Sequence, residues 1–110
     1  MNERLTGLLG MARRAGRLIA GFDAVKESLT AGRAAAVLFA ADLSPKTEKE
    51  LRFAAGERPL LFPAGLTKDE IGHAIGSEKP VGVIATEDKG FAAAMKKAVA
   101  ARNEEDAYDR

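Results

Sequence analysis

Two uninterrupted apolar runs, residues 35–40 (AAVLFA) and 81–85 (VGVIA), constrain the fold more than any other feature of the chain. Each is too short for a helix, and neither alternates with polar residues as a half-solvated strand does. Such runs are expected of strands covered on both faces. The chain must therefore supply apolar helix faces on two sides of a sheet.

The flanking segments read as those helices. Over residues 2–15, Leu5, Leu8, Leu9 and Ala12 recur at i, i+3, i+4 and i+7 and share one face. Gly7 and Gly10 weaken this helix by up to ~1 kcal/mol each relative to alanine, and Gly16 is placed to end it. Residues 17–20 suit a brief strand. Residues 22–31 read as a second helix with Ala24, Val25, Ser28 and Leu29 turned inward, ended by Gly32.

After the first apolar run, Ser44-Pro45 reads as an N-cap with proline at the first helical position, opening a helix to about Ala55. Residues 60–62 are a short strand. Thr67-Lys68-Asp69-Glu70 is a capping box that starts a helix through Ile75. Asp88 caps a last helix to about Ala101. The order is α-β-α-β-α-β-α-β-α, which predicts an α/β fold: a three-layer α/β/α sandwich around a central mixed four-stranded sheet. Residues 1–101 form one domain, and residues 102–110 a polar acidic tail expected to fray. Phe39 and Phe62 belong to strands and to the core, while Phe53 and Phe91 lie on helices and are expected to pack on the sheet.

Several function classes drop out. With no cysteine there is no disulfide framework or thiolate metal site. The single histidine, His73, has no partner that would make a catalytic pair or a metal site. Asp69 and Glu70, and likewise Glu87 and Asp88, are adjacent and so diverge by about 100° on a helix; they read as acids favoured near helix N-termini. No phosphate-binding glycine loop or nucleophile elbow occurs. The expectation is no enzyme, no cofactor and no small-molecule substrate. No run approaches the ~20 apolar residues that cross a bilayer, and the opening residues lack the pattern of a signal peptide, so no membrane partner and a cytoplasmic location are expected.

Charge is uneven beneath a net of +1. Residues 1–33 carry +3, residues 34–101 are balanced, and residues 102–110 carry −2. Arg13, Arg14 and Arg17 account for much of the basic excess, and Gly21 leads from them into the second helix. On charge pattern alone these arginines read as solvating a surface turn. The alternative is a phosphate seat, with guanidinium groups converging on the free N–H groups of that helix start. Phe22, at the same place, either stacks on a base or anchors the helix, and anchoring is favoured.

The stretches RAGRLIAGFDAVKESLTAGRAAAVLFAADLSP and DEIGHAIGSEKPVGVIATEDKGFA change that balance. With their glycine spacing, they resemble the kink-turn-binding ribosomal protein superfamily, the L-seven-Ae type with its L-thirty-e and Gadd-forty-five relatives, and within it the bacterial YlxQ-like branch. The resemblance runs from about Leu5 to Lys97. It implies an α/β/α sandwich that binds RNA through the motif G-x-N-E-x-x-K at the start of the second helix, whose Asn, Glu and Lys read guanine edges. The loop before the last strand would pack on a flipped-out nucleotide. Gly21 matches the motif glycine, and Asp23 stands in place of Asn. Ala24 replaces the Glu and Glu27 replaces the Lys, so two base readers are missing and one position repels guanine acceptors. Lys26 is rotated about 100° from position 27 and suits a phosphate better than a base. Gly76 fits the pattern of the loop, where Lys79 supplies a cation.

The resemblance thus implies a non-catalytic protein of structured RNA, such as ribosomal RNA or a kink-turn, with ribosome-associated proteins as further partners. The expected RNA-binding residues are Arg13, Arg14, Arg17, Gly21, Asp23, Lys26, Gly76 and Lys79. The alternative is a protein-interaction module of the same fold that has lost kink-turn base recognition.

Overall fold

Helix and strand alternate throughout, as the apolar pattern predicts. A computed structural model describes the backbone of residues 3–108 and the side chains of residues 3–101. The elements are α1 (Glu3–Arg14), β1 (Ile19–Ala20), α2 (Phe22–Thr30), β2 (Ala36–Phe39), α3 (Pro45–Ala55), β3 (Leu61–Pro63), α4 (Lys68–Ala74), β4 (Val83–Thr86) and α5 (Lys89–Tyr108). The sheet order is β1-β4-β2-β3. β4 runs antiparallel to both β1 and β2, while β2 and β3 are parallel, so the sheet is mixed.

β2 and β4 are the two apolar runs, and they sit side by side at the centre of the sheet. Every residue of both is buried. Successive side chains of a strand point to opposite faces, so each run feeds two cores. Leu38 and Ile84 face α1, α4 and α5, meeting Leu5, Leu9, Ile71, Ile75 and Met95. Val37, Val83 and Ala85 face α2 and α3, meeting Val25, Leu29, Leu51 and Ala55. Full burial of one such aliphatic side chain contributes about 1.5–3 kcal/mol, and Thr86, the one polar residue of the two strands, is buried with its hydroxyl donating to Arg17 O.

Local signals set the helix starts. Ser44 Oγ accepts from Thr47 N at 3.2 Å, with Pro45 in the first turn. Thr67 and Glu70 complete a reciprocal capping box. Asp88 Oδ1 accepts from Phe91 N at 2.9 Å. At the other ends, the Arg58 guanidinium donates to Leu29 O, Ala54 O and Ala55 O, joining the C-termini of α2 and α3.

Three expectations are corrected. Ala24 is exposed, not inward, because the buried stripe of α2 is Val25, Ser28 and Leu29. Phe53 does not pack on the sheet: it is 88% exposed, on the side of α3 opposite the buried Leu51 and Ala55. The last helix passes Ala101 and continues to Tyr108; the acidic side chains of residues 102–110 lie outside the described residues. Phe62 is half-buried against the first core, as are Phe91 and Leu8.

Candidate functional site

The start of α2 differs from the other helix starts described above. Gly21 holds φ 100° and ψ 152°, a conformation that L side chains rarely adopt, and no side chain caps the helix. The Gly21 N–H donates to Val83 O at 3.0 Å, which pins the turn to β4. The first-turn N–H groups of Phe22, Asp23 and Ala24 have no acceptor within the helix, so an anion at this start would meet both donors and the positive end of the helix dipole. Phe22 is half-buried against the α2–α3 core and so anchors this start. The Lys26 ammonium lies 5.6 Å from the Phe22 ring centroid. Asp23, Lys26 and Glu27 are all exposed.

The loop entering β4 reaches the same end of the sheet. Gly76 turns it at φ 73°. Ser77 N donates to Gly72 O at 2.8 Å, the Ser77 hydroxyl bridges Lys79 N and O, and Val81 N donates to Lys68 O at 3.0 Å. Lys79 is exposed at the crest of this loop. The loop lies so close to α4 that a Cβ on Gly72 would come within 2.6 Å of Lys79 O.

Sequence reasoning missed Lys68. Its stem crosses Gly82, the residue before the Val83 that holds Gly21, with Cε 3.8 Å from where a Gly82 Cβ would sit. Its own N–H donates to Asp42 Oδ1 at 2.9 Å. The only sequence signal was its place inside the capping box, which identifies a helix start but not what that start faces. Lys26, Lys68 and Lys79 thus come from α2, α4 and the β4 loop to one end of the sheet.

The arginines do not join them, and this corrects the expected convergence. β1 runs antiparallel to β4, pairing Ile19 with Ala85 and Ala20 with Ile84. Gly21 therefore lies at the Val83 end of β4. Arg17 O accepts from Thr86 Oγ1 at the other end, about 13 Å away along the strand at ~3.3 Å per residue. Arg17 instead lines a hollow of about 340 Å³ with Gly16, Leu18, Ile19, Glu87 and Asp88, its Nε 3.9 Å from Asp88 Oδ2. Arg13 is exposed on the last turn of α1, at that same end of the chain path. Arg14 lines a groove of about 700 Å³ between α1 and α5, together with Arg4, Leu8, Met11, Ala94 and Lys97.

Around Glu87 the contacts have the character of a structural tie. The Ser28 hydroxyl donates to Glu87 Oε2 at 2.7 Å and Arg33 Nε donates to the same oxygen at 3.1 Å. These two donors, the Ser28 hydroxyl first, hold the Glu87 carboxyl below its ordinary value of 4.5. A carboxylate with a lower pKa in the folded than in the unfolded state stabilises above the unfolded value, and that contribution is lost as pH falls through the folded one. The stability gap between wild type and Glu87→Gln should be constant near neutral pH and shrink as pH drops below 4.5. Urea titrations across that range measure it; a gap unchanged at the acid end would mean that the charge of Glu87 is not what the two donors hold.

Among the described residues, no group of three or more His, Cys, Asp or Glu is placed to hold a metal ion, and His73 is exposed. No described helix is long and apolar enough to cross a membrane.

Comparison with known proteins agrees with the architecture. A family model described as the ribosomal protein L7Ae/L30e/S12e/Gadd45 family matches residues 3–96. The chain is 33% identical over 85 residues to the RNA-binding protein YlxQ of Bacillus subtilis (strain 168), a match covering 77% of this chain and 84% of that protein. It superposes on a protein of unknown function from Bacillus halodurans with a TM-score of 0.79 at 28% identity, covering 90% of this chain and 98% of the other. It shares its fold with the Giardia lamblia 15.5kD RNA binding protein, with a TM-score of 0.70 at 19% identity over 88% and 82% of the two chains.

Proposed function

Because the chain belongs to the ribosomal protein L7Ae/L30e/S12e/Gadd45 family, we propose that it is a non-catalytic protein that binds structured RNA. The interface in this reading is the start of α2 at Gly21 and Asp23, flanked by Lys26, by Lys68, and by the β4 loop from Gly76 to Lys79. The observation that carries it is the α2 start, formed on a glycine at positive φ and without a side-chain cap, with the Lys26 ammonium over the Phe22 ring beside it. Backbone N–H groups and ammonium groups together suit phosphate oxygens. Arg13, Arg14 and Arg17 fall outside this interface. A ribosomal or kink-turn RNA in the cytoplasm is the partner the reading implies.

Phosphate contacts set the salt dependence of such binding. Lys26→Ala and Lys79→Ala should each weaken binding to a consensus kink-turn RNA and lower the slope of log affinity against log salt by about one. Arg17→Ala should leave both nearly unchanged. Gel-shift titrations at two salt concentrations, with a kink-turn mutated at its G·A pairs as control, measure this. If Arg17→Ala flattened the slope while both lysine variants bound like wild type, the interface would be elsewhere.

A second reading has a specific observation behind it. Ala24 and Glu27 occupy exposed positions of the base-reading motif, as in a domain that has turned to protein partners. Protein recovered with the chain after nuclease treatment, together with failure to bind either RNA, would favour that reading.

A further inference from the structure

Phe53 is the most exposed large apolar side chain among the described residues, at 88%. Single exposed apolar residues are common on protein surfaces, so exposure alone argues nothing. The surroundings do. The other four phenylalanines all have a structural seat: Phe39 is buried, and Phe22, Phe62 and Phe91 pack against the two cores. Phe53 has none, because it lies about 200° around α3 from both Leu51 and Ala55.

It forms one wall of a hollow of about 230 Å³ whose other walls are Lys26, Lys49 and Glu50. Lys46, Lys49 and Phe53 fall at i, i+3 and i+7 of α3, so a second exposed lysine continues the same face. The neighbouring Arg52 is engaged elsewhere: it pairs with Glu48 at 2.8 Å and lies 5.7 Å from the Phe39 ring. No second apolar side chain borders the hollow. A protein partner seated there would bring apolar surface to a rim of charges. An unpaired nucleotide brings a flat π face for the ring and a phosphate for the ammonium groups, which fits one aromatic with two cations, whose charge exceeds that of the single carboxylate of Glu50.

Lys26 links this place to the α2 start, since its ammonium lies over the Phe22 ring and its side chain lines the Phe53 hollow. We infer that Phe53, with Lys49 and Lys26 beside it, is a stacking platform for an unpaired base on a strand leaving the α2 interface. The inference rests on the reading of the chain as an RNA-binding protein. It adds a class of ligand that the interface alone does not require: structured RNA with a single-stranded extension.

The test compares a consensus kink-turn RNA with blunt ends and the same RNA carrying a single-stranded uridine extension. The extended RNA should bind wild type more tightly. Phe53→Ala should weaken binding of the extended RNA by on the order of ten-fold and leave the blunt RNA unchanged. Because Phe53 is almost fully exposed, the substitution should not disturb the fold. The chain has no tryptophan, so Phe53→Trp introduces a single indole whose emission should be quenched by the extended RNA and not by the blunt one. If both RNAs bind but Phe53→Ala matches wild type on the extended one, or the indole emission does not move, the platform is refuted while the α2 interface stands. If a nuclease-resistant protein partner is lost in Phe53→Ala with RNA affinity intact, the face belongs to that protein and the inference fails. If wild type binds neither RNA, both readings fall together.

Discussion

Replacing Gly72 with alanine is expected to lower the midpoint of thermal unfolding by roughly 10 °C. Helix propensity argues the other way, since alanine is favoured over glycine by ~1 kcal/mol inside a helix. Sterics decide the sign. A Cβ at this position would meet Lys79 O at 2.6 Å and Lys79 C and Pro80 Cα at 3.4 Å, all backbone atoms that cannot rotate aside. The loop cannot easily withdraw either, because Ser77 N is bonded to Gly72 O and Val81 N to Lys68 O on either side of the clash. Forcing extra volume into such a contact costs about 1–3 kcal/mol and occasionally more, and here the upper part of that range is expected. The net loss of about 2 kcal/mol gives the stated shift at ~4–8 °C per kcal/mol for a domain near this size. Gly7→Ala is the control: nothing lies within 4 Å of where its Cβ would be, so the same substitution should raise the midpoint. Both are read by thermal melts. Equal shifts of the two variants would mean that the β4 loop is not seated on α4. Because Lys79 rides on that loop, Gly72→Ala should also weaken RNA binding at temperatures where the variant remains folded.

That contact shows where legibility from the sequence ends. Features fixed by neighbours within one helical turn or one strand were readable: the caps at Ser44, Thr67 and Asp88, and the apolar runs that became β2 and β4. Features fixed by remote partners were not. The period of α2 placed Ser28 inward, but the acceptor that satisfies its buried hydroxyl, Glu87, lies 59 positions away, and nothing near Ser28 announces it. Phe53 was expected to pack inward because it is aromatic, yet the period set by Leu51 and Ala55 places it outside. In that instance periodicity outranked residue type. The arginines were grouped with Gly21 because they are close in sequence, but β1 is a strand, and four residues of strand carry a chain much farther than four of helix. Its antiparallel pairing with β4 then sends Arg17 and Gly21 to opposite ends of the sheet. Lys68 lies beside Gly82, next to the Val83 that holds Gly21, and that relation runs through the register of β4 between parts of the chain more than 40 residues apart.

The variant Ala24→Glu/Glu27→Lys is expected to gain kink-turn discrimination on the order of 100-fold over the mutated control RNA. The family motif places a carboxylate and an ammonium at these two positions, and one good base contact is worth ~1–3 kcal/mol of discrimination. Two contacts that do not add fully still reach that order. The fold gives no reason for the exchange to fail, because both residues are exposed on α2 and neither side chain has a hydrogen bond or ion pair to lose. A glutamate in the first turn complements the helix dipole, and a lysine nearer the C-terminus does the same. Stability should therefore change by less than about 0.5 kcal/mol. The two exchanges together also raise the net charge by one, since Glu27→Lys shifts it by two and Ala24→Glu takes one back, and this favours binding to any RNA. Affinity for the kink-turn alone is thus a poor readout, and the ratio of affinities for kink-turn and control is the informative one. A rise in that ratio would place guanine edges against the first two turns of α2 and identify Ala24 and Glu27 as the residues that now withhold base recognition. Equal gains on both RNAs would mean that α2 meets only backbone phosphates, and no gain on either would place the RNA on another face of the domain.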